Sequence, residues 1–140
     1  MPHEERVAEL ARRRQAALAM GGEKRLAKRA ERGILDARQR LDHLLDEGSF
    51  KEVGLFATSL NPNDLDTTPA DGKVTGFGRI DGRKVAIASN DLTVKGASSN
   101  STNSKKVGYI KDTATRTGMP IVYLGESSGA RMPDVMGAVA

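Results

Sequence analysis

The stretch from Lys73 to Ser89 constrains the fold most. Lys73 to Ile80 alternates, Asp81-Gly82 supplies a two-residue turn, and Arg83 to Ser89 alternates back. Asp-Gly suits the type I′ turn, whose twist matches that of the strands it joins. Val74, Phe77 and Ile80 on one strand, with Val85 and Ile87 on the other, give this hairpin most of its apolar groups. Gly76-Phe77-Gly78 lies inside a strand and opens no helix, so it is not a dinucleotide fingerprint.

Upstream, Glu4 to about Ala19 reads as a helix with a narrow apolar stripe (Val7, Leu10, Ala11, Ala17, Leu18), broken by Gly21-Gly22. A second, basic helix runs from Glu23 to about Arg32 and ends at Gly33. Asp36-Ala37-Arg38-Gln39 has the pattern of a capping box. Leu41, Leu44 and Leu45 then share one helical face, with Gly48 as the expected stop. His43 lies between these leucines and reads as a surface or edge residue, since no second ligand is spaced to join it. Phe50 to Ser59 is expected to be extended, and Asn61 to Asp71 to be a loop.

Downstream, Asp91 to Thr102 is rich in Gly, Ser, Asn and Thr and reads by composition as a loop. A helix follows with Val107, Ile110 and Ala114 on one face, ended by Gly118. Pro120 to Asp134 is where the chemistry is expected. Ile121 to Leu124 reads as a buried strand, Gly125 to Gly129 as a tight turn, and Pro133 as the first turn of a helix. That succession leaves backbone N–H groups free to hold an anion or a developing oxyanion. Gly125-Glu126-Ser127-Ser128-Gly129 also fits a nucleophile elbow. An elbow needs a base, and the only histidines, His3 and His43, lie upstream in expected helices. A plain strand-to-helix turn is the third reading. Val135 to Ala140 begins a helix that stops in mid-course, which suggests a truncated chain.

Composition narrows the classes. The 140 residues suffice for one domain with a real core, mostly aliphatic because aromatics are 4% and tryptophan is absent. Without cysteine there is no disulfide, thiolate metal site or cysteine nucleophile, and no metal centre is expected. No apolar run approaches a membrane span and no secretory signal opens the chain, so a cytoplasmic protein is expected. Residues 1 to 40 hold 11 Lys/Arg against 6 Asp/Glu, and residues 41 to 140 hold 11 against 12. The excess positive charge is therefore confined to an N-terminal arm. It is either a solvated helix surface or a contact for a phosphorylated ligand or acidic partner. Nucleic-acid binding rests on that arm alone, which lacks aromatic stacking residues.

Several stretches together resemble one family. Arg32 to Arg38 (R-G-I-L-D-A-R), Leu44 to Phe50 (L-L-D-E-G-S-F), V-T-G-F-G-R-I-D-G-R-K-V, N-D-L-T-V-K-G-A-S-S and E-S-S-G-A-R-M-P-D stand in the order found in carboxyltransferase (beta) subunits of biotin-dependent acyl-CoA carboxylases. The likeness covers about residues 5 to 140. It implies an α/β, crotonase-like fold of repeated ββα units. Residues 1–35 would be the basic helical arm, and 36–140 the first part of the carboxyltransferase N-terminal domain. The implied reaction moves carboxylate from carboxybiotin, carried on a partner protein, to the α-carbon of an acyl-CoA through an enolate.

Residue by residue, the likeness implies that backbone N–H groups of Ser128, Gly129 and Ala130 stabilise the enolate oxygen. Gly96, Ala97 and Ser98, with Arg131, would line the acyl-CoA side. The implied partners are acyl-CoA, a biotin carboxylase and biotin carrier subunit, and further copies of the chain in a homo-oligomer. No nucleic acid and no membrane are implied. An acyl-CoA decarboxylase or transcarboxylase subunit of the same fold, or a non-catalytic assembly module, are the alternatives. Two departures stand out. Members typically read D-S-G-G-A-R where this chain has Glu126 and Ser128, and have two adjacent glycines where this chain has Gly96-Ala97. Their subunits are also several times longer, with the turn that serves biotin in the second half, so the isolated chain is expected to be catalytically incomplete.

Overall fold

The computed structural model describes residues 2–132. The helix expected from Pro133 through Ala140 lies outside them. Three helices open the chain: α1 (His3–Leu18), α2 (Glu23–Ala30) and α3 (Ala37–Leu44). There follow β1 (Lys51–Val53), 3-10 turns at Pro62–Thr67 and Pro69–Gly72, and the hairpin of β2 (Lys73–Ile80) and β3 (Arg83–Asn90). A short 3-10 turn (Lys95–Ala97), α4 (Ser101–Thr117) and β4 (Ile121–Leu124) complete the order.

The hairpin forms as its turn residues dictate. Asp81 and Gly82 have φ of 49° and 78°, the pair of positive values that a type I′ turn needs, and Ile80 faces Arg83. Asp46 caps this turn from outside, its carboxylate accepting the N–H of Asp81 at 2.9 Å and of Gly82 at 2.8 Å. The four strands lie in the order β1-β2-β3-β4, with β1 and β2 antiparallel, β2 and β3 antiparallel, and β3 and β4 parallel through the α4 crossover.

Each face of the sheet is covered by helix. On one face Ala37, Leu41 and Leu45 meet Val74, Val85 and Ile87, with Leu26, Phe50, Ile80 and Leu124 around them. On the other, Val107, Ile110 and Ala114 of α4 meet Ala86 and Ala88, with Phe77 and Met119 alongside. The small alanines let α4 lie close to β3. Ile110 is fully buried there, which stabilises by roughly 1.5–3 kcal/mol relative to exposure.

Some local expectations give way to tertiary structure. The capping box forms, with Asp36 Oδ1 accepting from Arg38 and Gln39 N–H and Gln39 Oε1 accepting from Asp36 N–H. Its helix stops at Leu44, though, because Leu45 turns extended (φ −90°, ψ 151°) to reach the core; Gly48 lies in the next turn. The extended segment expected from Phe50 to Ser59 is only Lys51–Val53, since Gly54 at φ 78° turns the chain away. Asn61 to Asp71 contains two 3-10 turns, and α4 starts at Ser101, inside the expected loop, because Asn100 and Asn103 form a reciprocal capping box. β4 pairs with β3 on one side, and Ile121 and Tyr123 point to solvent at 40% and 46% exposure. The strand is half-buried.

Candidate functional site

Beyond β4 the chain runs alongside the 95–99 segment. Ser128 N–H donates to Gly96 O at 2.9 Å, Ser99 N–H to Gly129 O at 2.8 Å, and Arg131 N–H to Ser99 O at 2.8 Å. Ser99 and Ala130 form an isolated parallel bridge. The expected cluster of free N–H groups is therefore reduced. Ser128 is engaged with Gly96, and Gly129 N–H donates to Ser127 Oγ at 3.1 Å. Ala130 N–H has no acceptor among the described residues. All the residues singled out in the sequence, Gly96, Ala97, Ser98, Ser128, Gly129, Ala130 and Arg131, are nonetheless brought together by these two segments.

Gly96 shows how close the approach is. A Cβ there would lie 2.5 Å from Ser128 Oγ and 3.0 Å from Ser128 Cβ, and its φ is 63°. The serine side chain thus lies across a residue that has none. Lys95 and Ala97 on either side also have positive φ, 47° and 52°, and Ala97 is wholly buried. Left-handed backbone at non-glycine residues is costly and persists only where the surroundings fix it.

Those surroundings are a buried polar network. Arg131 Nη1 meets Asp71 Oδ1 at 2.6 Å, with side chains 5% and 0% exposed. Arg131 Nε donates to Ser98 Oγ at 3.1 Å and Nη2 to Ser98 O at 3.3 Å. Asn103 Nδ2 donates to Asp71 O at 3.1 Å and to Ser98 O at 2.9 Å. Lys73 Nζ donates to Asn90 Oδ1 at 3.3 Å and Ala97 O at 3.4 Å, and burial lowers its pKa. Asp71 itself stands in a left-handed run, with φ of 50°, 47° and 70° from Ala70 to Gly72. Lys106 holds that run by donating to Ala70 O and Lys73 O. Burial depresses its pKa to about 8. Sequence reading missed Asp71, Lys73, Asn90, Asn103 and Lys106, because their partners are distant in the chain. The one local signal was the N-x-x-N spacing of Asn100 and Asn103.

The basic arm docks beside this site. Gly21 lies so close to Thr93 that a Cβ would strike the Thr93 carbonyl. Its N–H donates to Thr93 Oγ1 at 3.0 Å, and Arg25 Nη1 donates to Thr93 O at 2.8 Å. A cleft of about 800 Å³ opens between arm and loop, lined by Lys24, Arg25, Lys95 and Gly96 with Glu23 and Asp66. Arg29 and Arg40 pair with Glu126 at 2.8 and 3.0 Å, and Arg38 pairs with Glu52 at 2.7 Å. Part of the positive charge of residues 1–40 is thus paired within the chain.

The elbow reading finds no base. Ser127 Oγ donates to Ala97 O at 3.3 Å, and neither His3 in α1 nor His43 in α3 hydrogen-bonds it. Among the described residues no group of three or more His, Asp or Glu could hold a metal ion, and no helix is long and apolar enough to cross a membrane.

The chain belongs to the family described as the carboxyl transferase domain, which matches residues 28–140. It is 45% identical over 131 residues to the propionyl-CoA carboxylase beta chain of Roseobacter denitrificans, covering 91% of this chain and 26% of that one. It is 46% identical over 134 residues to the methylmalonyl-CoA carboxyltransferase 12S subunit of Propionibacterium freudenreichii subsp. shermanii, covering 94% and 26%. The chain thus spans about a quarter of the length of the curated relatives it matches. Among solved structures, the transcarboxylase 12S hexamer with methylmalonyl-coenzyme A bound matches with a TM-score of 0.88 at 42% identity, over 97% of this chain and 27% of that chain. A single-chain, multi-domain long-chain acyl-CoA carboxylase matches at 0.85 and 30% identity, over 96% and 15%. The fold is that of the crotonase-like carboxyltransferases, and β2–β3–α4 is its ββα unit.

Proposed function

We propose that this chain forms the acyl-CoA side of a carboxyltransferase in a biotin-dependent acyl-CoA carboxylase. The observation that carries the reading is the register of the 95–99 and 128–131 segments, which ties up the neighbouring backbone and leaves Ala130 N–H without an acceptor among the described residues. A thioester oxygen seated there would accept from that N–H, and the bond strengthens as the oxygen gains enolate charge. Ser128 and Gly129 act by shaping the turn, their own N–H groups being engaged. Gly96, Ala97 and Ser98 form the facing wall, and Arg131 fixes that wall through Ser98. The cleft beside Lys24, Arg25 and Lys95 suits the negative phosphates of coenzyme A.

Carboxybiotin on a carrier protein would supply the carboxylate. The residues described fit the thioester and phosphates, and we assign none of them to the biotin ring. Residues 1–35 act as the docking arm, and 36–140 as the opening of the carboxyltransferase domain, working in a homo-oligomer with a biotin-carrying partner. The transcarboxylase alternative is favoured by a named relative, the methylmalonyl-CoA carboxyltransferase 12S subunit.

Calorimetric titration of the chain with propionyl-CoA tests the reading. Saturable binding is expected, weakened by Gly129→Pro in a protein whose circular dichroism is unchanged. Absence of binding at millimolar ligand sinks it. The chain alone should transfer no carboxylate, and acyl-CoA carboxylation by these 140 residues would overturn that expectation.

A further inference from the structure

We infer that Arg29 of α2 and Arg40 of α3 are positioning residues for the acyl-CoA site, acting through Glu126 on the segment that carries Ala130. The inference rests on the function proposed above. Arg29 Nη2 donates to both oxygens of the Glu126 carboxylate, at 3.1 and 2.8 Å, and Arg40 Nη2 donates to Oε2 at 3.0 Å. Both arginines are themselves tied down, Arg29 to Leu35 O at 3.2 Å and Arg40 to Asn90 O at 2.8 Å. The backbone of Glu126 is held as well, its carbonyl accepting from Asn90 Nδ2 at 2.9 Å. Glu126 is therefore gripped from α2, α3 and the end of β3. Two residues later Ser128 is pinned to Gly96, and Ala130 follows.

This clamp sits outside both hydrophobic clusters. The arginine side chains are 12% and 20% exposed and Glu126 is 31% exposed, so the pairs are partly shielded from water. Two guanidinium groups share one carboxylate, and removing that carboxylate leaves two like charges facing each other. Their repulsion would push the Arg29 end of α2 away from α3 and free the side chain at 126, leaving this stretch held by Asn90 Nδ2 on Glu126 O and by Ser127 Oγ on Ala97 O. The consequence falls on where Ala130 N–H points. At the phosphate end of the cleft Arg25 and Lys95 keep anchors of their own, on Thr93 O and the Asp64 carboxylate.

The test compares two ligands on the 140-residue chain. One is coenzyme A, and the other is the nitronate of a nitroalkyl-CoA, whose charged oxygens stand where an enolate oxygen forms. The wild-type chain should bind the nitronate more tightly. Arg29→Met and Glu126→Gln should each lose about tenfold in nitronate affinity, the scale of one charge-assisted hydrogen bond. Affinity for coenzyme A should hold within about twofold, and the double variant should be no weaker than either single. Hydrogen exchange should quicken at the Ser128 and Arg131 amides and not in β2 or β3. Equal losses for both ligands, or an unchanged nitronate affinity, overturns the positioning role while leaving the proposed function standing. If Arg29→Met does not fold, Glu126→Gln, which keeps side-chain length, decides alone. A wild-type chain that binds neither ligand overturns the proposed function and this inference with it.

Discussion

Lys106 offers a prediction whose size follows from the structure. The residue is 7% exposed, and its ammonium donates to the carbonyls of Ala70 and Lys73. Burial lowers its pKa from 10.5 to about 8, against the opposing pull of Glu52 and Asp71. Below pH 8 folded and unfolded chains both carry the proton, and the folded chain bears the full cost of a buried charge. Between about 8 and 10.5 the unfolded chain still binds the proton while the folded chain has released it. Stability from this group therefore rises with pH through that window, by roughly 3 kcal/mol in all. The neutral amine keeps two N–H groups, enough for both carbonyls. Lys106→Met keeps much of the aliphatic stem, removes the titration, and takes a donor from Ala70 O, which still accepts Lys73 N–H, and from Lys73 O, at a cost of roughly 1–3 kcal/mol. At pH 7 the removed charge offsets part of that loss. The gap between wild type and variant should then widen by roughly 2–3 kcal/mol from pH 7 to 10. Urea denaturation at several pH values measures it. The titration of Tyr123, distant from Lys106, is common to both proteins and cancels, while Lys73 and Lys106 repel each other and the variant removes that repulsion. Parallel stability curves for the two proteins would refute the argument.

Arg131→Met should destabilise by roughly 3–5 kcal/mol in denaturant melts, because Asp71 is left wholly buried without its cation. Adding Asp71→Asn should recover part of this, and no recovery would mean that the loss is one of packing. Gly96→Ala should cost about 1–2 kcal/mol, since the new Cβ meets Ser128 and φ is 63°. In a Ser128→Gly background that cost should shrink, and an equal cost in both backgrounds would show that backbone strain alone is responsible. Asp46→Ala should cost about 1 kcal/mol through the two turn N–H groups it leaves to water. A loss of thermal stability is the readout, and an unchanged melting temperature would count against the cap.

What could be read from the sequence was local or carried by the order of motifs. Asp81-Gly82 and the Asp36–Gln39 box specify their structures within a few residues, and both formed. The family likeness was legible because several motifs recur in order, and it is shown by the match over residues 28–140. The detail of the site was not legible. The family likeness implied Ser128 and Gly129 as donors, yet Gly96, far away in the chain, accepts the first N–H and Ser127 Oγ the second. Asp71 sat in what read as a plain loop, and its importance arises only once Arg131 reaches it. Leu45 likewise breaks its helix for the sake of the core, a decision no local rule contains.

The sheet runs β1-β2-β3-β4 in the same order as the chain. As the polypeptide leaves a ribosome, each of these four strands therefore meets a partner already made, and none of the four waits for another of them to be inserted. The arm is the exception. Although made before the sheet, it has contacts 68 and 97 residues downstream, at Thr93 and Glu126. It must stay undocked until nearly all of this segment has emerged, with its basic surface exposed to whatever is nearby. Acidic or phosphorylated molecules in the cell then have their chance to meet it before its own carboxylate does.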